Sequence, residues 1–252
     1  MKLESILQYV DEYLSVSGHP DYPTALNGLQ VDGPEEVRVV ACAVDASQAS
    51  IARASELGAD LMMVHHGLFW DGPAPLVGAR YRRVKGLIES GVALYSCHLP
   101  LDGHPEIGNC ALLAKSLSLK LEGRLGAYKG IPIGWWGRLG EPMSPPEFTA
   151  LVGEVLGGPV HAIPGGGDRI ERVGVLTGGG ASFIREAADL GLDAYVTGEG
   201  PHQAHFDAIE YRIHVLFGGH YATETFGVRA LGSHLAERFD LEYHFIDQPT
   251  GL

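Results

Sequence analysis

The chain has 252 residues, 45% of them hydrophobic and 19% charged, with a mean hydropathy of +0.05; this excludes disordered and fibrous classes and fits one large or two small domains. Thirty-one acidic residues against 18 basic ones give a formal net charge of −13, a field that repels polyanions, so nucleic-acid binding is not supported. No apolar run approaches the roughly 20 residues that span a bilayer, and residues 1–12 lack a signal-like apolar stretch, so no membrane association and a cytoplasmic location are expected.

Leu3, Ile6, Leu7, Val10 and Leu14 recur at helical spacing, which predicts an opening amphipathic helix that ends near Gly18. After a turn-rich segment, residues 37–44 form a continuous apolar run that reads as a buried strand. Residues 47–57 then read as a helix stopped by Gly58, and 61–64 as a second strand. A helix over 81–90 and a strand over 93–97 extend the same parallel sheet. The Gly/Pro-rich segment 124–167 carries Trp135 and Trp136 and is expected to hold a strand or two and a helix over 146–156.

Sliding the sequence against itself by 133 positions lays residues 38–67 over 171–200 without a gap. Val40, Ile51, Leu57, Gly58, Asp60 and Gly67 then meet Val173, Ile184, Leu190, Gly191, Asp193 and Gly200. A second offset of 122 lays His98 over His220 and Asp102 over Glu224, so both halves carry His-x-x-x-carboxylate after a predicted strand. The expected fold is α/β, with two similar βαβ-type lobes related by the internal repeat and facing each other across a metal site. The first lobe is expected over 1–123 and the second over 124–252, with 124–167 as the join.

Three clusters sit at predicted strand ends: Val64-His65-His66-Gly67, Cys97-His98-Leu99-Pro100-Leu101-Asp102 and Gly219-His220-Tyr221-Ala222-Thr223-Glu224. The carboxyl ends of strands are where open α/β sheets bind ligands. Neighbouring histidines in a regular strand point to opposite faces, so His65 and His66 converge only if the strand ends there, with Gly67 permitting the turn. A helix from Tyr221 onward puts His220 and Glu224 one turn apart on one face, whereas Pro100 argues against the same helix after His98. Imidazole and carboxylate without a thiolate pattern suit Zn, Mn, Fe, Co or Ni, and more donors than one catalytic zinc needs suggest two divalent ions that acidify a water for hydrolysis.

Other features admit plainer readings. Of the 12 histidines, His19, His161, His214, His234 and His244 read as structural hydrogen-bonders. Glu199, His202 and His205 read either as acid–base groups or ligands, or as a capped loop and a solvated helix. Gly178-Gly179-Gly180 reads as a tight turn before an anion cradle, and Arg80, Arg82, Arg83 and Lys85 as a solvated helix start before a phosphate or subunit contact. The three cysteines, Cys42, Cys97 and Cys110, form no CxxC pair and read as buried, reduced thiols.

VHHG at 64–67, CHLPLD at 97–102, GGG at 178–180, TGE at 197–199 and GHYATE at 219–224, with Asn27-Gly28-Leu29-Gln30, resemble the Nif-three-like dinuclear-metal family, whose members are labelled GTP cyclohydrolase I type 2 homologues. The resemblance spans nearly the whole chain. It implies a two-lobed subunit, a toroidal homohexamer, a small-molecule substrate with a nucleotide as the candidate, and two divalent metal ions per subunit held by His65, His66, Asp102, His220 and Glu224. It also implies hydrolytic attack on a purine nucleotide ring, for which His98 or His202 would supply the proton.

Overall fold

The computed structural model describes residues 1–70 and 72–252. Leu3, Ile6 and Val10 bury one face of the opening helix, α1 (Leu3–Tyr13). There follow β1 (Gly28–Val31), β2 (Val39–Asp45), α2 (Gln48–Glu56), β3 (Leu61–His66), α3 (Gly78–Ser90), β4 (Ala93–Ser96) and α4 (Leu99–Gly103). The chain continues through α5 (Asn109–Ser116), β5 (Lys120–Tyr128), β6 (Ile131–Met143), α6 (Pro145–Leu156), β7 (His161–Ile163) and β8 (Ile170–Val175). A 3-10 turn (Gly180–Phe183) runs into α7 (Ile184–Asp189), then come β9 (Ala194–Thr197), α8 (Ala204–Glu210), β10 (His214–Phe217), α9 (His220–Thr223), α10 (Thr225–Phe239) and β11 (Glu242–Phe245).

Two compact units result, one of residues 1–101 with 227–248, the other of 102–226 with 249–252. The division therefore falls at Leu101/Asp102, and not at 123/124. Leu113, Ala114, Leu117 and Leu119, on and after α5, pack with Phe148, Val152 and Val173 of the second unit's core. At the other end of the chain, β11 returns to lie parallel to β2.

The first unit's sheet has the order β1-β4-β3-β2-β11. Its strands run parallel except β1, which pairs antiparallel with β4. Both faces of β2, β3 and β4 are covered, so these strands read as unbroken apolar runs. Ala41, Ala43, Met62, Val64 and Leu94 join Ile51 and Ala54 of α2 and Leu87 of α3 in its core. Each large side chain so buried contributes roughly 1.5–3 kcal/mol. The second unit's sheet has the order β5-β6-β8-β9-β10-β7, with β8, β9 and β10 parallel and the rest antiparallel.

The internal repeat reappears as identical hydrogen bonding. The Asp60 carboxylate accepts the backbone N–H groups of Arg38 and Val39 at 2.7 and 3.0 Å. Its repeat partner Asp193 accepts those of Glu171 and Arg172 at 2.9 and 2.8 Å. Each aspartate ties the start of the first strand of a βαβ unit to the start of the next, and the glycine two residues earlier, Gly58 or Gly191, has φ +68° in both. The predicted elements of this region are present. After His98, however, the chain is helical: Pro100 sits in the first turn of α4, where a missing N–H costs nothing.

Candidate metal centre

In the first unit His65, His66 and His98 each offer a ligand atom within 4.8 Å of the others. Their rings lie 4.7 to 5.6 Å apart. β3 ends at His66, as convergence was expected to require, and His66 stands beside Asp45 in the register of β2. The rings approach at the strand's last two residues with a 48° tilt. Gly67 matters for space more than for conformation, since a Cβ there would sit 2.3 Å from the amide of Gln30.

Each of these rings has its Nδ1 tied to an oxygen. His65 Nδ1 bonds the Cys97 carbonyl at 3.0 Å, His66 Nδ1 the Asp45 carboxylate at 2.9 Å, and His98 Nδ1 the Asp21 carboxylate at 2.8 Å. Carbonyls and carboxylates only accept, so each Nδ1 donates, and in the neutral imidazole Nε2 then carries the lone pair. This is how proteins orient metal-binding imidazoles. Asp21 is buried, and burial pushes its carboxyl up. The His98 hydrogen bond and charge, with Asn27 and the Tyr22 N–H, outweigh that and hold it below its ordinary value.

In the second unit stand Asp102, His220 and Glu224. Asp102 is buried, and both Asn109 and Thr177 donate to its Oδ1, at 2.8 and 3.0 Å. His220 opens α9, and its Nε2 lies 3.2 Å from Glu224 Oε2, the one-turn spacing read from the sequence. Its Nδ1 bonds Glu199 at 2.8 Å, as His98, its repeat equivalent, bonds Asp21. The hydrogen bond to Glu224, against an opposing effect of burial, and the proximity of Glu199 push His220 up to about 9. Such surroundings favour a cation. Gly178 lies against the same pair: a Cβ on it would meet Glu224 Oε1 at 2.1 Å and His220 Nε2 at 3.2 Å. The imidazole and carboxylate donors, oriented from behind and lying beside a residue with no side chain, fit a divalent transition metal.

The other candidates stand apart. His202 and His205 are exposed, their rings edge-on to Phe206 at 5.6 and 5.5 Å, whereas Glu199 supports His220. The Gly178 and Gly180 N–H groups donate to Thr223 and Thr197, so the glycine run is a tight turn whose amides are used internally. In the basic cluster Arg80 donates to the Gly72 carbonyl, Arg82 to Gln48, and Lys85 pairs with Glu89. The five histidines read as structural all engage neighbours, His214 bonding the Gly167 carbonyl and His234 the Tyr9 hydroxyl, for example. The three cysteines are buried free thiols. Sequence reasoning passed over Asp21, Asp45 and Thr177; the only hint was the Asn27–Gln30 motif, which lies next to Asp21 in the chain.

A family model described as Duf34/NIF3 (NGG1p interacting factor 3) matches residues 1–251. The chain belongs to the DUF34/NIF3 family. Relatives named GTP cyclohydrolase 1 type 2 homolog share 42% identity in Deinococcus radiodurans, over 99% of this chain and 94% of that protein. The Pyrococcus horikoshii relative of that name shares 41% over the whole of both. Among solved structures, protein ybgI, described as of unknown function, aligns over the full length of both chains with a TM-score of 0.94 and 40% identity. Reduced HcgD from Methanocaldococcus jannaschii aligns over 98% of both with a TM-score of 0.84 and 26% identity. The two similar α/β lobes of this chain are thus those of the DUF34/NIF3 family. Among the described residues, no helix is long and apolar enough to cross a membrane.

Proposed function

We propose that the protein is a metal-dependent hydrolase in which His65, His66, Asp102, His220 and Glu224 hold two divalent ions. The observation that carries this reading is the orientation of His65 and His66: each has its Nδ1 fixed by an oxygen acceptor, so that the Nε2 of the neutral ring is presented as a donor, while His220 Nε2 faces Glu224. Bound there, divalent ions supply Lewis acidity and bring the pKa of a water from about 15.7 toward 7. The chain's own residues do the rest. Asn109 and Thr177 hold Asp102 by one oxygen, Glu199 steadies His220, and Asp45 steadies His66.

Hydrolytic opening of a purine ring, the chemistry in the relatives' name, also needs a proton delivered to a ring nitrogen. His98, half enclosed by Trp70 and Tyr22 and backed by Asp21, is assigned that role. His202 is the second candidate, and serves only a substrate long enough to reach the start of α8. The basic side chains engaged within α3 and its surroundings offer little for a triphosphate, which favours a substrate with few phosphates or one held by the ions themselves. The assembly proposed is a homohexamer, checked by light scattering against six times the 26.9 kDa chain mass.

The test is metal content per subunit in untagged protein, beside His65→Ala and Glu224→Ala. About two equivalents, falling sharply in both variants, supports the centre and leads to a screen of GTP and of phosphoesters with the metal found. Under half an equivalent, unchanged in the variants after reloading with Zn or Mn, refutes it in favour of a non-enzymatic scaffold. Turnover of phosphoesters alone would make the protein a dinuclear phosphoesterase.

A further inference from the structure

Within residues 19–30, which run into the edge strand β1, the side chains of Asp21, Asn27 and Gln30 each bond one of two histidine loops. Asn27 Oδ1 accepts the His98 N–H at 2.8 Å. Gln30 Oε1 accepts the Leu68 N–H at 2.8 Å, while its Nε2 donates to the Ala25 and Leu26 carbonyls at 3.1 and 3.0 Å. Asp21 is the centre of the arrangement, with a side chain only 6% exposed. Its Oδ1 accepts from His98 Nδ1 at 2.8 Å and the Tyr22 N–H at 2.6 Å. Its Oδ2 accepts from the Leu99 N–H at 2.9 Å and Asn27 Nδ2 at 2.8 Å. Four donors on one carboxylate are far more than loop closure requires.

We propose that Asp21 is a positioning residue that fixes His98 in the Nδ1–H tautomer, with the bare Nε2 turned toward His65 and His66. The inference rests on the hydrolase reading above only for what His98 then does, which is to take up and return a proton at Nε2. The internal repeat supports the assignment independently. His220, equivalent to His98, is held from behind by Glu199 at the same 2.8 Å, so both halves place a carboxylate behind the histidine that follows the strand. The two carboxylates come from unrelated positions, Asp21 lying 77 residues before His98 and Glu199 lying 21 before His220. The same support is thus built twice, from different positions in the chain.

The geometry makes a sharp test available. Of the four groups around Asp21, two are backbone N–H groups and one is the Asn27 amide, whose oxygen is already used by the His98 N–H. Only His98 Nδ1 can change from donor to acceptor. Each carboxylate oxygen faces two donors, and only the pair on Oδ1 includes one that can turn acceptor, so Asp21→Asn should set its NH2 group against His98. The imidazole then accepts at Nδ1 and carries its proton on Nε2.

The experiment is long-range proton–nitrogen correlation NMR of the imidazoles in the full chain, with His98→Gln identifying the His98 signals. Wild type should show a protonated Nδ1 and a bare Nε2 at His98, and Asp21→Asn the inverse, with zinc content the same in both. A wild-type His98 protonated on Nε2 overturns the proposal, and that spectrum decides even if the variant does not fold. An uninverted pattern in folded Asp21→Asn also overturns it. So does zinc loss in Asp21→Asn to the extent seen in His65→Ala, because His98 would then be a ligand. Absence of zinc from wild type would refute the hydrolase reading while leaving the tautomer assignment intact, so the two failures are distinguishable.

Discussion

Gly178 shows how much a site can depend on an atom that is not there. It has φ +63°, a conformation that costs other residues roughly 1–2 kcal/mol, and a Cβ on it would fall 2.1 Å from Glu224 Oε1. The next residue, Gly179, has open space around its missing Cβ and an ordinary φ. Gly178→Ala should therefore lower both thermal stability and zinc affinity in a chelator competition, and Gly179→Ala should leave affinity unchanged. Equal effects of the two substitutions would mean that the run is needed only for its turn. The candidate donors were legible in the sequence because each pair is local: His65 with His66, and His220 with Glu224 four residues on. Their supports were not. Asp21 acts across 77 positions, Thr177 acts on Asp102 across 75, and Asp45 acts on His66 across 21, distances over which neither spacing nor hydrophobic period carries a signal.

The βαβ units of the two lobes were legible for a different reason. Their strands are buried on both faces and their helices end at glycines, so apolar runs and breakers mark them directly. The repeat also carries a mechanical feature that low identity nearly hides, the carboxylates of Asp60 and Asp193. Each accepts two backbone N–H groups at the entrance of the preceding strand. Replacing either with alanine strands two donors and should cost on the order of 1–2 kcal/mol in urea denaturation. The losses in Asp60→Ala and Asp193→Ala should be similar, because the bonding is the same. A loss at one and none at the other would show that the repeated clamp is structural in a single lobe. Elements outside the repeat were harder to read. The short edge strand β1 begins at a glycine with φ +109°. Pro100, which argues against a helix after His98, is accommodated in the first turn of α4.

At the level of the whole chain, the unit boundary was misplaced because the sequence shows where composition changes, whereas a compact unit is defined by where side chains pack. The last helix and strand return to the first unit over a sequence distance that leaves no local mark: Tyr243 pairs in register with Val40. Net charge, by contrast, is plain in the sequence and complicates any metal experiment, since a chain at −13 is stabilised by any divalent cation that screens its self-repulsion. Donor chemistry separates the two effects. A specific site at one hundred times its dissociation constant stabilises the folded state by about 2.7 kcal/mol per ion, and for a chain of this size each kcal/mol moves Tm by about 2–4 °C. Zinc should accordingly raise Tm by about 5–10 °C per ion, reversibly with chelator. Magnesium at the same concentration, an oxygen-seeking ion poorly served by imidazoles, should give only the screening increment. In a His65→Ala/His66→Ala double variant the zinc response should shrink toward the magnesium response. If zinc and magnesium act alike on wild type, the stabilisation is electrostatic screening and the oriented histidines are not a metal site.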